Sequence, residues 1–455
     1  MVFDAITGTG CFPIMGGNYQ RGMMLQTIIY KELKMNRKQK VTINKKNDCL
    51  TTPFKLTTVS SYSGPINRTV SLVDGSLEYS ADCESFEGNL EVVECEGLSH
   101  LQQMHEKCYE DFAIALGFPQ QDGESIQSVD IIWKNPSTNS SNRKATKSLE
   151  SLMQFIRNEV SLIVFDVPGS YATPEAAWGC LCSVDPQLNF VGYVVTHSPY
   201  SYIRNVVTGE MLTVANGLRF YCLTKKSGGI RKYGEKFAKW SWIRGYGHVE
   251  LSNSGDYLIR QIVNAEDFHP GHTVCETAIL GQGLTQERPR SELHAGRLLD
   301  TRKLRNLDDI EESVYLLKVK EAMASIKHLH DLVKDQWLER RSYEIAETTG
   351  CSKHVAWQAA QSVSDNYTLP DVYTLKFEQH GWVTVAEVLA DPMKFDKKSL
   401  TDPKACHDER YVAVFEWKNG NPFIRSAVNG GCNYGFTAIE VLMANCQLLI
   451  ETVGN

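Results

Sequence analysis

Between Lys225 and His248 the chain interleaves seven cations, Lys225, Lys226, Arg231, Lys232, Lys236, Lys239 and Arg244, with Tyr233, Phe237, Trp240, Trp242 and Tyr246. Cations contact phosphates and aromatic faces stack on unpaired bases, so this mixture is the chemistry of a single-strand or primer-template groove. The competing use of the aromatics is as core, because Phe237 and Trp240 stand three apart in a segment predicted helical over about 231–243. The pattern predicts mixed use, with aromatics mostly buried and lysines outward. A second candidate is Asp166, which closes the apolar run VSLIVFDVPG just before a Pro-Gly stop. A buried central strand delivers a carboxylate to a sheet edge in this way, although a lone Asp there reads equally as a turn residue.

Other chemistries lack their motifs. The nearest approach to a Walker A loop, GGIRKYGEK, places Glu235 between glycine and lysine, which excludes a P-loop ATPase or helicase. The opening GTGCFPIMGG has glycines without a preceding strand or following helix, and no GxSxG elbow occurs. Thirteen cysteines include no CxxC pair, so reduced, buried thiols are expected and no structural zinc. His328 and His330 lie about 200° apart on a helix and cannot share a metal; both are expected at the surface. Asn429-Gly430-Gly431 reads as a tight turn.

The elements that must position these residues follow from periodicity. Strands are expected at RTVSLV, LEVVEC, SVDIIW, VSLIVFDV, FVGYVVTH, GLRFYCLT and HVELS, with helices over about 100–116, Leu149–Asn158 and 231–243. From Asp308 to about Glu347 a long charged helical stretch opens on capping acids, and a shorter helix follows over 352–363. The end of the chain returns to strands around a helix near 384–390 and closes on the amphipathic segment TAIEVLMANCQLLIETV. The fold class is therefore α+β, divided into a basic N-terminal extension (1–55), a mixed-sheet core (56–305), a helical connector (306–370) and a small α+β C-terminal module (371–455). The 455 residues carry a net charge of −7, with 42% hydrophobic and 22% charged residues, the balance of a folded protein. Local basic stretches such as KELKMNRKQKVTINKK keep a nucleic-acid partner open despite the acidic total. No apolar run reaches the ~18 residues of a membrane helix, so a cytoplasmic protein without a membrane partner is expected.

The segment from Ser161 to Arg302 also carries a resemblance. LIVFDVPG, VVTHSPYSYIRNVVTGEML, NGLRFYCLTKKSGGIRKYGEKFAKWSWIRGYGHVELSNSGDYLIRQIVNAEDF, ILGQGLTQERPR and LLDTRKL, in that order and spacing, resemble the primase-polymerase domain of prophage and mobile-element replication proteins, in the archaeo-eukaryotic primase superfamily. GPINRTVSLVDGSLEYS and DFAIALGF are similar to that family's amino-terminal portion, and ADPMKFDKKSLTDP with NPFIRSAVNGG resembles a small module often found between primase and helicase. The likeness covers about 65–305 and 380–435. It implies a primase-polymerase-like core for DNA replication, single-stranded or primer-template DNA and nucleoside triphosphates as partners, a separately encoded helicase, and nucleotidyl transfer with two Mg²⁺ or Mn²⁺ ions. The family site is an Asp-x-Asp at a strand end, a His on a neighbouring strand and a third Asp on a later one; residues i and i+2 of a strand share a face, so the first two acids meet one metal.

This chain departs from that pattern. Asp166 matches the first acid and is the expected metal ligand; Pro168 stands at the second, Arg219 at the histidine and Asn264 at the third acid. Arg219 retains the means to hold a triphosphate, Asn264 an oxygen without charge, and Pro168 no ligand. Glu250, Asp256, Glu266 and Asp267 are the acids close enough in sequence to substitute. Two functions follow: a metal-dependent DNA primase or polymerase if they do, or a catalytically silent primase-like DNA-binding accessory or regulatory protein if they do not. Asp166, Arg219 and Asn264 are the candidate catalytic set, and the seven cations from Lys225 to Arg244 the candidate DNA-binding set.

Overall fold

The computed structural model describes residues 48–61, 69–79, 85–107, 113–121, 124–125, 128–134, 153–169, 171, 173–405, 411, 413–418, 420–426 and 432–437. The N-terminal basic stretch over 31–46, Asn429-Gly430-Gly431 and the terminal amphipathic segment beyond Thr437 lie outside these residues. The class is α+β, with eight α-helices among the described residues and several sheets. No helix among them is long and apolar enough to cross a membrane.

A four-stranded antiparallel sheet forms the central layer, in the order Ser161–Val167, Leu218–Thr224, Tyr193–His197, Glu292–His294. Along the chain its elements run strand, helix (Pro174–Val184), strand, strand, helix (Ile230–Ile243), strand. Both of its faces are covered, which is why the strand at 161–167 reads as a continuous apolar run instead of an alternating one. Ile163, Phe165 and Val167 face the two helices, where Trp178, Leu181, Tyr233 and Phe237 pack with them. Leu162, Val164, Tyr221 and Leu223 face the other way, against Phe54, Leu56, Ile114 and Val274. Those last residues belong to a second, five-stranded sheet ordered Thr273–Cys275, Ala113–Ala115, Phe54–Ser61, Ser85–Cys95, Ser128–Lys134. The strand at 161–167 ends at the cross-strand pair Val167 and Leu218, directly before Pro168, which has no N–H to continue a ladder. There the two chain segments close in so tightly that a Cβ on Gly169 would lie 2.2 Å from the Gly217 nitrogen.

Beyond the core, the charged stretch after Asp308 forms two helices, Asp309–Ser325 and Lys327–Thr349, broken at Ile326 (φ −111°, ψ 12°). Asp308 and Glu311 close a capping box at its start, and Gly350 (φ 72°) ends the second helix in the left-handed region. The helix Lys353–Asn366 follows. Trp337, Leu338 and Ile345 of the second helix share one hydrophobic cluster with Ala356 and Val363 of the third and with Leu375, Phe377, Phe415 and Ile424 of a curled seven-stranded sheet. A hairpin of the core, His248–Leu251 with Tyr257–Arg260, clasps this assembly. Its turn residue Asp256 accepts a hydrogen bond from the buried Lys404 ammonium at 2.8 Å, and the Gly255 carbonyl accepts from His330 Nδ1 at 2.6 Å. A Cβ on Gly255 (φ 85°, the left-handed region) would crowd Lys334 at 3.0 Å, so a larger residue there is strained and tight.

Three local expectations are corrected. The helix expected over about 100–116 occupies Leu98–Lys107, and Ala113–Ala115 is instead a strand between Phe54–Ser61 and Thr273–Cys275. Its Ala-Ile-Ala sequence is fully buried, and sheet pairing there overrides helical spacing. Within Leu149–Asn158 the described part is no helix: Met153–Gln154 pairs with Phe118–Pro119, and Asn158 turns the chain with φ 71°. His330 is also not a free surface residue, because Tyr257 stacks on it at 4.4 Å between ring centroids.

Candidate functional site

Asp166 and Arg219 are direct cross-strand partners, one register step from the end of their strands. The alternation that sends Phe165 and Phe220 to the helices sends these two to the other face, into the seam between the two sheets. Arg219 Nε donates to Asp166 Oδ2 at 3.1 Å, and its Nη1 donates to the Cys275 carbonyl on the far sheet. The Arg219 side chain is 10% exposed and that of Asp166 34%. Burial opposes the guanidinium charge, but Asp166 first, with further help from Glu276, holds its pKa above the ordinary value. Arg219 is therefore a fixed positive charge pinning one sheet to the other.

Further ionisable groups surround this pair. Burial, and then the Asp166 charge, raise the Asp267 carboxyl to about 7. Burial pushes the His272 imidazole down to about 4 against the pull of Asp166, so it is neutral at pH 7, with Nδ1 3.9 Å from Asp267 Oδ1. Deeper in the seam, Glu276 Oε2 lies 3.1 Å from His105 Nδ1, and Oε1 accepts from the Tyr221 hydroxyl. Burial would raise this carboxyl, but His105, Arg219 and Tyr221 outweigh it and hold it at about 2. The His105 Nε2 atom is buried without a hydrogen-bond partner. Glu276, His105, Tyr221 and His272 carry no motif in the sequence; they meet because strand Thr273–Cys275 and helix Leu98–Lys107 come from distant segments.

Asn264 does not join them on a strand. It caps the short 3₁₀ turn Ala265–Phe268, its side-chain oxygen accepting from Glu266 N at 3.4 Å. Of the acids placed as substitutes, Glu250 is bonded to Arg260 (3.0 Å) and His248 (3.2 Å) on the exposed hairpin, Asp256 is bonded to Lys404, and Glu266 is exposed. The fourth, Asp267, feels the Asp166 charge. Among the described residues no three His, Cys, Asp or Glu side chains are grouped so as to hold a metal ion. Two dications need several free hard oxygen ligands. Here one carboxylate is bonded to a guanidinium, the other is half protonated near neutral pH, and position 168 has no ligand, so this donor set does not fit a two-metal centre. Buried cysteines offer no nucleophile either: burial raises the Cys49 and Cys95 thiols to about 11.

The helix Ile230–Ile243 splits its cations from its aromatics. Tyr233, Phe237, Trp240 and Trp242 are buried, which leaves them unable to stack on bases. Lys226, Arg231 and Lys232 are exposed; Lys226 is 3.3 Å from Asn158 Oδ1 and Arg231 3.6 Å from Glu235. Lys225 is half-buried, and its charge helps hold the Asp300 carboxyl below its ordinary range, after the hydrogen bond from Arg302. Lys236 donates to the Leu304 carbonyl at 2.9 Å, Lys239 pairs with Glu312 at 2.6 Å, and Arg244 lies over the Trp240 ring at 5.5 Å. Lys239 thus seats the connector on the core and Lys236 holds the core segment just before it, while the cations nearer the start of the helix face solvent. No family model, curated protein or solved structure matches the chain.

Proposed function

We propose that this chain is a nucleic-acid-binding protein with a primase-polymerase-like core, in which an internal ion pair stands where the metal-binding acids of an active relative would be. The observation that carries this reading is the Arg219–Asp166 contact at 3.1 Å: the one matching acid is neutralised by the residue standing at the histidine position. Exposed Lys226, Arg231 and Lys232 supply the phosphate contacts, and the quoted likeness over about 65–305 supplies the class of partner, single-stranded or primer-template DNA. In that setting the protein serves as an accessory or regulatory factor beside a separately encoded helicase. The test is fluorescence anisotropy with labelled single-stranded and primer-template DNA, run beside primer extension with Mn²⁺. Three phosphate contacts on a single strand predict a slope of log K against log salt of about −2, and extension at background. Salt-independent affinity, or no binding at low salt, removes the reading.

The rival reading, metal-dependent nucleotidyl transfer, would need Asp267 to join Asp166 in holding a dication and Arg219 to release Asp166 and take a triphosphate instead, against the pairing seen at 3.1 Å. Mn²⁺-dependent extension abolished by both Asp166→Ala and Asp267→Ala supports this reading over the silent one.

A further inference from the structure

The exposed cations after strand Leu218–Thr224 lie at the opposite end of the central sheet from the Arg219–Asp166 pair. That strand runs antiparallel to Ser161–Val167, so Asp166 pairs with Arg219 at one end and Ser161 with Thr224 at the other. At about 3.3 Å per residue the two pairs are about 17 Å apart, and Lys225 and Lys226 continue beyond the second. Three chain segments meet there. Ser227 N donates to the Glu159 carbonyl at 2.9 Å and Lys226 Nζ to Asn158 Oδ1 at 3.3 Å, while a Cβ on Gly228 would lie 3.5 Å from Arg157 Cγ. On the other flank Lys225 N donates to the Leu299 carbonyl at 2.8 Å, and a Cβ on Gly229 would lie 2.9 Å from Thr301 Oγ1. These contacts put Arg157, from the turn before Ser161, and Arg302 and Lys303, from the segment leading into the connector, at the same sheet end as Lys226.

Arg157, Lys226, Arg302 and Lys303 are all exposed, and the exposed Arg231 and Lys232 follow on the first turn of the helix Ile230–Ile243. Over 156–159, 225–235 and 299–303 seven cations stand against three acids, a surplus of four in a chain whose net charge is −7. Two of those acids are already engaged, Glu235 with Arg231 at 3.6 Å and Asp300 with Arg302 Nε at 2.9 Å and Nη2 at 3.0 Å. A surplus of one sign gathered on one edge of an acidic protein is a field that a polyanion follows. With Tyr233, Phe237 and Trp240 buried, this edge offers charge to phosphates and no ring to bases. Resting on the nucleic-acid reading above, we infer that the phosphate backbone of a DNA strand crosses this end of the sheet, held by Arg157 and Lys303 together with Lys226, Arg231 and Lys232. The strand thereby lies apart from the Arg219–Asp166 pair, and the seam and the DNA surface are separate sites.

Fluorescence anisotropy of the full chain with labelled oligo-dT gives the first readout. Two contacts added to the three already assigned steepen the slope of log K against log salt from about −2 to about −3.5. Arg157→Ala combined with Lys303→Ala should weaken binding about fivefold and return the slope to about −2. A control pair on other exposed surfaces, Lys320→Ala with Lys394→Ala, removes the same charge and should change neither. Hydrogen exchange of the unaltered protein needs no variant to fold: DNA should protect amides in 156–159, 225–232 and 299–303 and leave 264–272, the segment that carries Asp267 beside Asp166, unchanged. No binding at low salt removes the nucleic-acid reading and this inference with it. Binding that the double variant and the control weaken alike, or protection centred on 264–272, overturns this inference alone and leaves a DNA-binding chain standing.

Discussion

Two buried arginines show how the same side chain serves different ends. Arg341, in the helix Lys327–Thr349, is 1% exposed; it donates to the Tyr373 hydroxyl at 3.1 Å, to Glu344 at 3.1 Å, and to both the carbonyl and the hydroxyl of Thr374, and it lies over the Tyr373 and Trp382 rings. Its partner Glu344 is three residues along its own helix, and Tyr373, Thr374 and Trp382 belong to the C-terminal module. Arg219 also sits in a seam, but its carboxylate partner comes from another strand and is one-third open to solvent, with a second carboxyl, Asp267, titrating beside it. A fully bonded cation under aromatic rings holds a structure together. A cation that pins two sheets but whose carboxylate partner reaches water is open to exchange of that partner for a phosphate, which a fully enclosed one is not.

That contrast can be broken by experiment. The largest effect is expected from Arg341→Ala, which removes a buried guanidinium, leaves Tyr373, Thr374 and Glu344 without its bonds and empties the space beneath Trp382; urea unfolding should show a loss of about 3–5 kcal/mol. If Arg219→Ala costs more than this, the roles assigned to the two arginines are reversed.

Next comes the pH dependence of Asp267. Its folded pKa of about 7 lies above the ordinary 3.8, so between those values the folded state holds more protons than the unfolded state and stability falls as pH rises. At pH 8 the whole penalty, on the order of 2–4 kcal/mol, is present. Asp267→Asn removes the titration, and melts of the two proteins should coincide near pH 4 and diverge in favour of the variant by pH 8. A flat difference across that range would mean that the buried carboxyl does not take up a proton. Glu276 works in the opposite direction: held at about 2, it contributes stability above its unfolded value that is lost only as pH falls toward 2.

Arg219→Ala ranks third, at about 2–3 kcal/mol, because the partly solvated Asp166 tolerates the loss of its partner better than a sealed carboxylate would. The same variant sharpens the function. DNA affinity unchanged at fixed salt would keep Arg219 structural, whereas a fall in triphosphate binding seen by calorimetry would assign it to a nucleotide. The smallest effect is that of Lys226, Arg231 and Lys232 changed together to Ala, where a loss of about 1–2 kcal/mol in DNA binding and a shallower salt slope are expected, without change in melting temperature.

The parts of this protein written locally were legible. The strands 161–167, 193–197 and 218–224 follow from unbroken or near-unbroken apolar runs, the helix 230–243 from its spacing, and the helix start at Asp309 from the Asp308 and Glu311 capping pair. Each signal acts within a turn or a strand length, so no distant residue is needed to read it. The division of labour within the Lys225–Arg244 stretch was also readable in outline, because a helix with one aromatic face buries that face. What the chain alone left open is where neighbours from elsewhere decide the outcome. Ala113–Ala115 became a strand because two other strands flank it; Asp267, one of four equivalent acids, became the one beside Asp166; and Arg219 met a carboxylate, a carbonyl and Glu276 from segments up to 57 residues away. Burial and charge pairing are properties of the assembled seam between the two sheets. The sequence by itself determined which residues could be ionised there, and only the tertiary structure decided which of them are paired, protonated or left facing water, because those outcomes depend on desolvation and distance that no local pattern encodes.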